Sequence, residues 1–185
     1  MTTNVMSARG PGAARELAGR LLVDLGDRWR HTRAVAARAR ELSVTVPPGD
    51  RDLLVAAAWL HDTGYAATVA ATGFHPLDGA RHLGRLGWPD RLCALVAHHS
   101  GARLLADVVG LVEELDAYPR EEGPVADALT YADQTVDSRG NRVTIGQRLV
   151  DVLARHGPDS PHARVHHLRE PFLLAVAERV EDRLS

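Results

Sequence analysis

The chain has 185 residues, of which 45% are hydrophobic and only 4% aromatic, and its formal net charge is -2. That length supports one domain with a sizeable core, and the charge offers no general attraction to a nucleic-acid polymer or an anionic membrane. With so few aromatics the core must be built from Ala, Leu and Val, which favours an all-α fold of closely packed helices over a sheet. Cys93 is the single cysteine, which excludes an internal disulfide framework and suits a reducing, cytoplasmic setting. No apolar run approaches the roughly 20 residues of a membrane span, and no basic-then-apolar signal segment opens the chain. The organisation expected is a flexible leader over residues 1–12 and a single helical domain over 13–185.

In chain order, a first helix is expected over about 13–25, with Leu17 and Leu21 along one side. Asp27 suits an N-cap for the next helix; it also lies one turn before His31, within reach of the same site, but caps are far commoner than extra ligands. In RWRHTRAVAARARELS, His31, Val35, Ala39 and Leu42 fall at helical spacing, so His31 shares the inward stripe. TVPPGD, residues 45–50, reads as a turn in which Asp50 caps the following helix. That helix, LLVAAAWLHDTGY over 53–65, is apolar nearly all round and ends in the pair His61-Asp62. A carboxylate delivered to an interior costs several kcal/mol unless a cation, a metal or a set of donors meets it. Gly64 stands where the helix stops, as a C-terminal cap would.

Further along, His75 precedes Pro76 at the entrance of a helix carrying Ala80, Leu83 and Leu86, while His82 sits beside Arg81 and Arg85 as a solvated or core-lining residue. The stretch PDRLCALVAHHSGA ends in the doublet His98-His99. Adjacent helical residues point about 100° apart, so both cannot share one inward direction unless the helix ends there, and Ser100-Gly101 reads as such a stop, which also allows both to lie on a solvated helix end. Residues 101–124 suggest a short helix and a polar turn, with Arg103 near the doublet. VADALTYADQTVD places Val125, Ala128, Leu129 and Ala132 on one face, with Asp133 one turn beyond Leu129. The SRGN turn follows, and Thr144 caps a helix running through Leu149, Val152 and Leu153. Arg139, Arg142 and Arg148 are candidate phosphate binders. The tail from about residue 161 reads as one long helix, and His156, His162, His166 and His167 near its start are assigned no metal.

His31, His61-Asp62 and Asp133 thus stand on three inward-facing helices in the order H…HD…D. This set resembles the HD-domain metal-dependent phosphohydrolase superfamily over roughly residues 27–150. The resemblance implies a compact multi-helix bundle with a metal site between central helices. A mononuclear site would use His31, His61, Asp62 and Asp133. In the binuclear version Asp62 bridges, and His75, in the segment HPLDGA, joins with His98 or His99 to hold the second ion; the resemblance points to His98, leaving His99 for substrate. Imidazole and carboxylate ligands without thiolates suit iron, manganese, cobalt, nickel or zinc. The activity implied is hydrolysis of a small phosphate ester such as a nucleotide, with Asp62 and His99 in catalytic roles and His99, Arg103, Arg142 and Arg148 on the substrate. Ser-Gly-Ala after the doublet and Tyr65 after HD depart from the cyclic-dinucleotide phosphodiesterase branch. HD-fold di-iron oxygenases acting on an organophosphonate or polyol use a similar ligand set, and a non-catalytic nucleotide-binding regulator is the third reading. The partners expected are a small phosphate substrate, no nucleic-acid polymer and no membrane; a homodimer is allowed.

Overall fold

Small apolar residues at spacings of three and four let the helices of this chain approach closely. The computed structural model describes residues 9–185, and among these the regular structure is helical apart from one isolated antiparallel bridge between Val136 and Arg142. Helix α1 (Pro11–Leu22) buries Ala14, Leu17, Ala18 and Leu22, and a short 3-10 turn leads into α2 (Asp27–Glu41). The first eight residues of the expected leader lie outside the described residues, and α1 begins two residues ahead of the expected start.

Helix α3 (Arg51–Leu60) is the hub: every residue from Leu54 to Leu60 is buried, and it packs on α1 and α2. Each fully buried Leu or Val contributes about 1.5–3 kcal/mol relative to exposure, so a helix with no polar face has only the interior to occupy. Helix α4 (His75–Arg85) lies on α5 (Asp90–His98), and α5 contacts α3 from a further side. Residues 101–124 hold two helices, α6 (Ala102–Val109) and α7 (Val112–Asp116), rather than the single one expected. Helix α8 (Pro124–Gln134) completes the surround of α3 and carries α11 (His166–Asp182) on its outer face. Asp127 of α8 holds that contact by accepting from Arg179 at 2.6 and 3.0 Å and from Arg183 at 2.9 Å.

Between α8 and α11 lie α9 (Ile145–His156) and the four-residue α10 (Pro161–Arg164). Thr144 caps α9 as expected, in a reciprocal box with Gln147. The tail is not one helix. Val165 adopts φ -100°, ψ 3°, which separates α10 from α11.

Other expectations need correction. Asp27 makes no capping bond; it is the first residue of α2 and pairs with Arg30 on the surface. Asp50 stands at the α3 N-cap position, but its carboxylate turns to Arg91 at 2.6 and 3.1 Å. Gly64 is no left-handed cap either. It lies in a 3-10 turn, Thr63–Tyr65, where an added Cβ would come within 2.0 Å of the His75 carbonyl oxygen. The segment Asp90–Val109 is, by length and composition, apolar enough to cross a membrane. Here it is bent by left-handed residues at Ser100 and Gly101 and lies mostly inside the fold.

Candidate metal centre

Four helix ends deliver the centre. His31 projects from the first turns of α2, His61 and Asp62 follow the last turn of α3, His99 follows α5, and Asp133 closes α8. All five are buried, at 6% exposure or less. His31 Nε2 lies 2.9 Å from Asp133 Oδ1, and His61 Nε2 lies 3.3 Å from Asp62 Oδ2 and 3.7 Å from Asp133 Oδ1. His75, at the start of α4, brings its Nε2 to 3.4 Å from both Asp62 Oδ1 and His99 Nε2. Two triplets result, His31–His61–Asp133 and His61–Asp62–His99, each with ligand atoms within 4.8 Å of one another.

The backbone sets the tautomers. A carbonyl can only accept, so His61 Nδ1 donates to Ala58 O at 2.7 Å, His99 Nδ1 to Val96 O at 2.6 Å and His31 Nδ1 to Asp137 O at 2.9 Å. Each bond leaves Nε2 turned inward, the arrangement by which metal-ligating histidines are held. His61 Nε2 is buried and without a hydrogen-bond partner among the described residues, although it faces two carboxylates. A bare lone pair there is repelled by both oxygens, so the donor set calls for a cation, a proton or a metal ion, and a divalent ion suits the imidazole and carboxylate donors of either triplet.

The charges agree. Burial opposes protonation of His61, but Asp62 outweighs it and pushes the imidazole up to about 9. Burial would raise Asp62 and Asp133, yet Arg28 and then His61 hold Asp62, and the His31 hydrogen bond and then His61 hold Asp133, well below the usual carboxylate range. Burial, reinforced by His99 and Arg28, keeps His75 well below the usual imidazole range despite Asp62. His99 is lowered by burial and then by His61.

Several neighbours complete the centre without having been expected. Arg28, one turn before His31, donates to Asp62 Oδ2 at 2.8 Å and lies 3.9 Å over the Tyr65 ring, which stacks on His75 at 4.1 Å. Burial and then Asp62 push the Tyr65 hydroxyl up to about 12, so it keeps its proton. Tyr65 is 40% exposed, and Arg28 and His75 are partly so; these three form the mouth. Asp133 Oδ2 accepts from Ser100 Oγ and from Gln134 Nε2, which leaves Oδ1 for the interior. Ser100 does this from a left-handed conformation, φ 55°, ψ 30°. Spacing along α2 flags Arg28 as sharing His31's face, whereas no local pattern marks Ser100 or the Asp137 carbonyl.

The doublet divides. His99 enters the cluster, while His98, expected as the ligand, turns away with its Nε2 donating to Tyr118 O at 2.8 Å. Helix α5 ends between them, where His98 leaves helical geometry at φ -105°, ψ 5°, and the His99 ring lies inward. Among the expected phosphate binders, Arg103 is exposed and paired with Asp116, and Arg142 is exposed and paired with Glu41. Arg103 and His98 instead line a cleft of about 810 Å³ between α5 and α11, which also reaches His99. Arg148 is different: it is 6% exposed and close enough to Asp133 to stabilise its charge. Arg139 is exposed, and His82 is half-buried on α4 away from the cluster.

The HD domain family matches residues 28–139, which include every member of this cluster. The chain belongs to that family of metal-dependent phosphohydrolases, whose members bind divalent metals. No curated protein and no solved structure matched it.

Proposed function

We propose that the chain hydrolyses a small phosphate ester, a nucleotide or a related mono- or diester, at the cluster His31, His61, Asp62, His75, His99 and Asp133. The observation that supports this most is the convergence of backbone-fixed Nε2 atoms on two carboxylates, with His61 Nε2 lacking any hydrogen-bond partner among the described residues. His31, His61 and Asp133 would hold one ion, and Asp62, His75 and His99 would hold a second, with Asp62 shared between them. Bound there, divalent ions neutralise phosphoryl oxygens and acidify a water for attack on phosphorus.

The chain's own contribution is placement and charge. Arg28 keeps its cation at the mouth, where it meets a phosphate oxygen, and the protonated Tyr65 offers a hydrogen-bond donor beside it. Burial of the five inner groups keeps bulk water from screening them, which strengthens each interaction with the ester.

The test is turnover by full-length, manganese-loaded protein of a panel of phosphomonoesters and phosphodiesters, with and without dioxygen. Phosphate release that persists under strict anaerobiosis and disappears in Asp62→Ala is the expected result. Oxygen-dependent substrate consumption without ester hydrolysis would replace this reading with an oxygenase.

A further inference from the structure

Beside the metal cluster, on the side of Arg28 and Tyr65, α9, α10 and α11 bring together cations that the HD match does not include, since it ends at residue 139. Arg148 comes from the first turn of α9 and Arg169 from the first turn of α11, at 6% and 5% exposure. Burying a guanidinium without an anion costs several kcal/mol, so each needs a counter-charge. Among the described residues Arg148 pairs directly only with Asp151, at 3.2 Å, a half-exposed carboxylate that Arg155 also engages at 3.1 Å, while Asp133 lies farther off. Arg169 makes no ion pair among the described residues; its partner is the neutral Gln134 Oε1 at 3.0 Å.

Two guanidinium donors are left over: the Nε atoms of Arg148 and Arg169 are buried without a hydrogen-bond partner among the described residues, as is the Nδ1 of His162. His162 packs against His156 with ring centroids 4.3 Å apart and tilted by 34°; burial and then neighbouring cations oppose protonation of both rings, His156 and the arginines for His162 and the arginines, Arg28 included, for His156. The nearest carboxylate towards the core is Asp133, one amide side chain away through Gln134. Asp133 is already committed to His31, Ser100 and the metal cradle. A bound divalent ion would consume its charge and make this region more positive. An anion with several oxygen acceptors would satisfy these groups.

We infer that Arg148, Arg169 and His162 form an anion subsite beside the metal cradle, which takes a second phosphate group of the substrate while the scissile one lies at the metals. The assignment of this subsite to the substrate rests on the phosphohydrolase reading, whereas the anion site itself does not. It makes the substrate class a compound with at least two phosphates, and it gives the C-terminal helices a part in selecting it.

The first arm is calorimetric titration of inorganic pyrophosphate into full-length, chelator-treated protein, so that no hydrolysis is involved. Wild type binds about one equivalent; Arg148→Met and Arg169→Met each bind at least roughly tenfold more weakly, the size expected for losing a charged hydrogen bond. Arg169→Lys, which keeps the charge, retains most of the affinity, and His162→Ala supplies a milder lesion should the methionine variants fail to fold. Absence of binding to wild type, or affinities within twofold across folded variants, overturns the subsite. So does a variant that loses metal while binding pyrophosphate normally, which would make Arg169 a support for Gln134 and Asp133 alone. In the second arm, pyrophosphate raises KM without lowering kcat for a diphosphate ester; the reverse pattern marks a separate regulatory anion and overturns the substrate assignment. An ester panel with no turnover, beside intact arginine-dependent binding, would remove the hydrolase reading and leave the anion site standing.

Discussion

At the scale of single residues, the chemistry of this centre is decided by which nitrogen of each imidazole carries the proton. The carbonyls of Ala58, Val96 and Asp137 take the Nδ1 hydrogens of His61, His99 and His31, so three Nε2 atoms face inward. His98 has the opposite tautomer and faces Tyr118. His99→Ala is expected to lower bound metal towards half of the wild-type stoichiometry, and His98→Ala to leave it unchanged, as read by elemental analysis of the two purified variants. An equal loss in both would mean that the doublet acts as a unit. Ser100 is expected to matter through Asp133, whose Oδ2 it satisfies. Ser100→Ala should weaken metal binding by about 10–100-fold with little change in helix content, the usual penalty for removing a group that orients a ligand. Unaltered affinity in a chelator competition would show that Gln134 suffices.

At the scale of elements, close approach between the turn after α3 and the start of α4 is what brings His75 to Asp62. A Cβ at Gly64 would lie 2.0 Å from the His75 carbonyl and 2.8 Å from the Gly79 amide nitrogen, both backbone atoms with nowhere to retreat. Gly64→Ala should therefore cost on the order of 3 kcal/mol, which for a chain of this size lowers the melting temperature by roughly 6–12 °C. A melting temperature unchanged from wild type would sink the close-contact argument. On the far side of the bundle, Asp127→Ala leaves Arg179 and Arg183 without their shared buried acceptor. Arg179 is half exposed, so solvent screening limits the loss to about 1–2 kcal/mol, measurable as a lower denaturant midpoint. No change in that midpoint would show the clamp to be energetically idle.

These elements also show what a sequence carries and what it withholds. His31, His61, Asp62 and Asp133 stand out because each interrupts a regular apolar stripe, and a buried polar group on such a stripe needs a reason. The split of the doublet was not legible, because it depends on a helix ending between two adjacent residues and on a left-handed Ser100. Asp50 and Asp27 carry the right residue type for caps, yet Arg91, 41 positions away from Asp50, and Arg30 compete successfully for them. Gly64 marks a chain stop in sequence, whereas its neighbour in space is His75, eleven positions later. The break at Val165 has no proline or glycine to announce it, so the tail reads as one helix until the packing of α10 against α6 and α9 is known.

At the scale of the whole molecule, ions at the centre would tie together the ends of α2, α3, α5 and α8, elements that otherwise meet through Ala, Leu and Val packing. Ligand binding to the folded state alone adds about 4 kcal/mol of stability at a thousandfold excess over the dissociation constant. Chelator treatment should therefore lower the melting temperature by several degrees, and the same treatment should leave Asp62→Ala unmoved. The measurement that bears most directly on the central claim is metal content by elemental analysis of tag-free protein purified without oxygen, wild type beside Asp62→Ala. About two divalent ions per wild-type chain and none in the folded variant are the predicted result; a wild-type chain without metal, or a variant that retains the full complement, would contradict it.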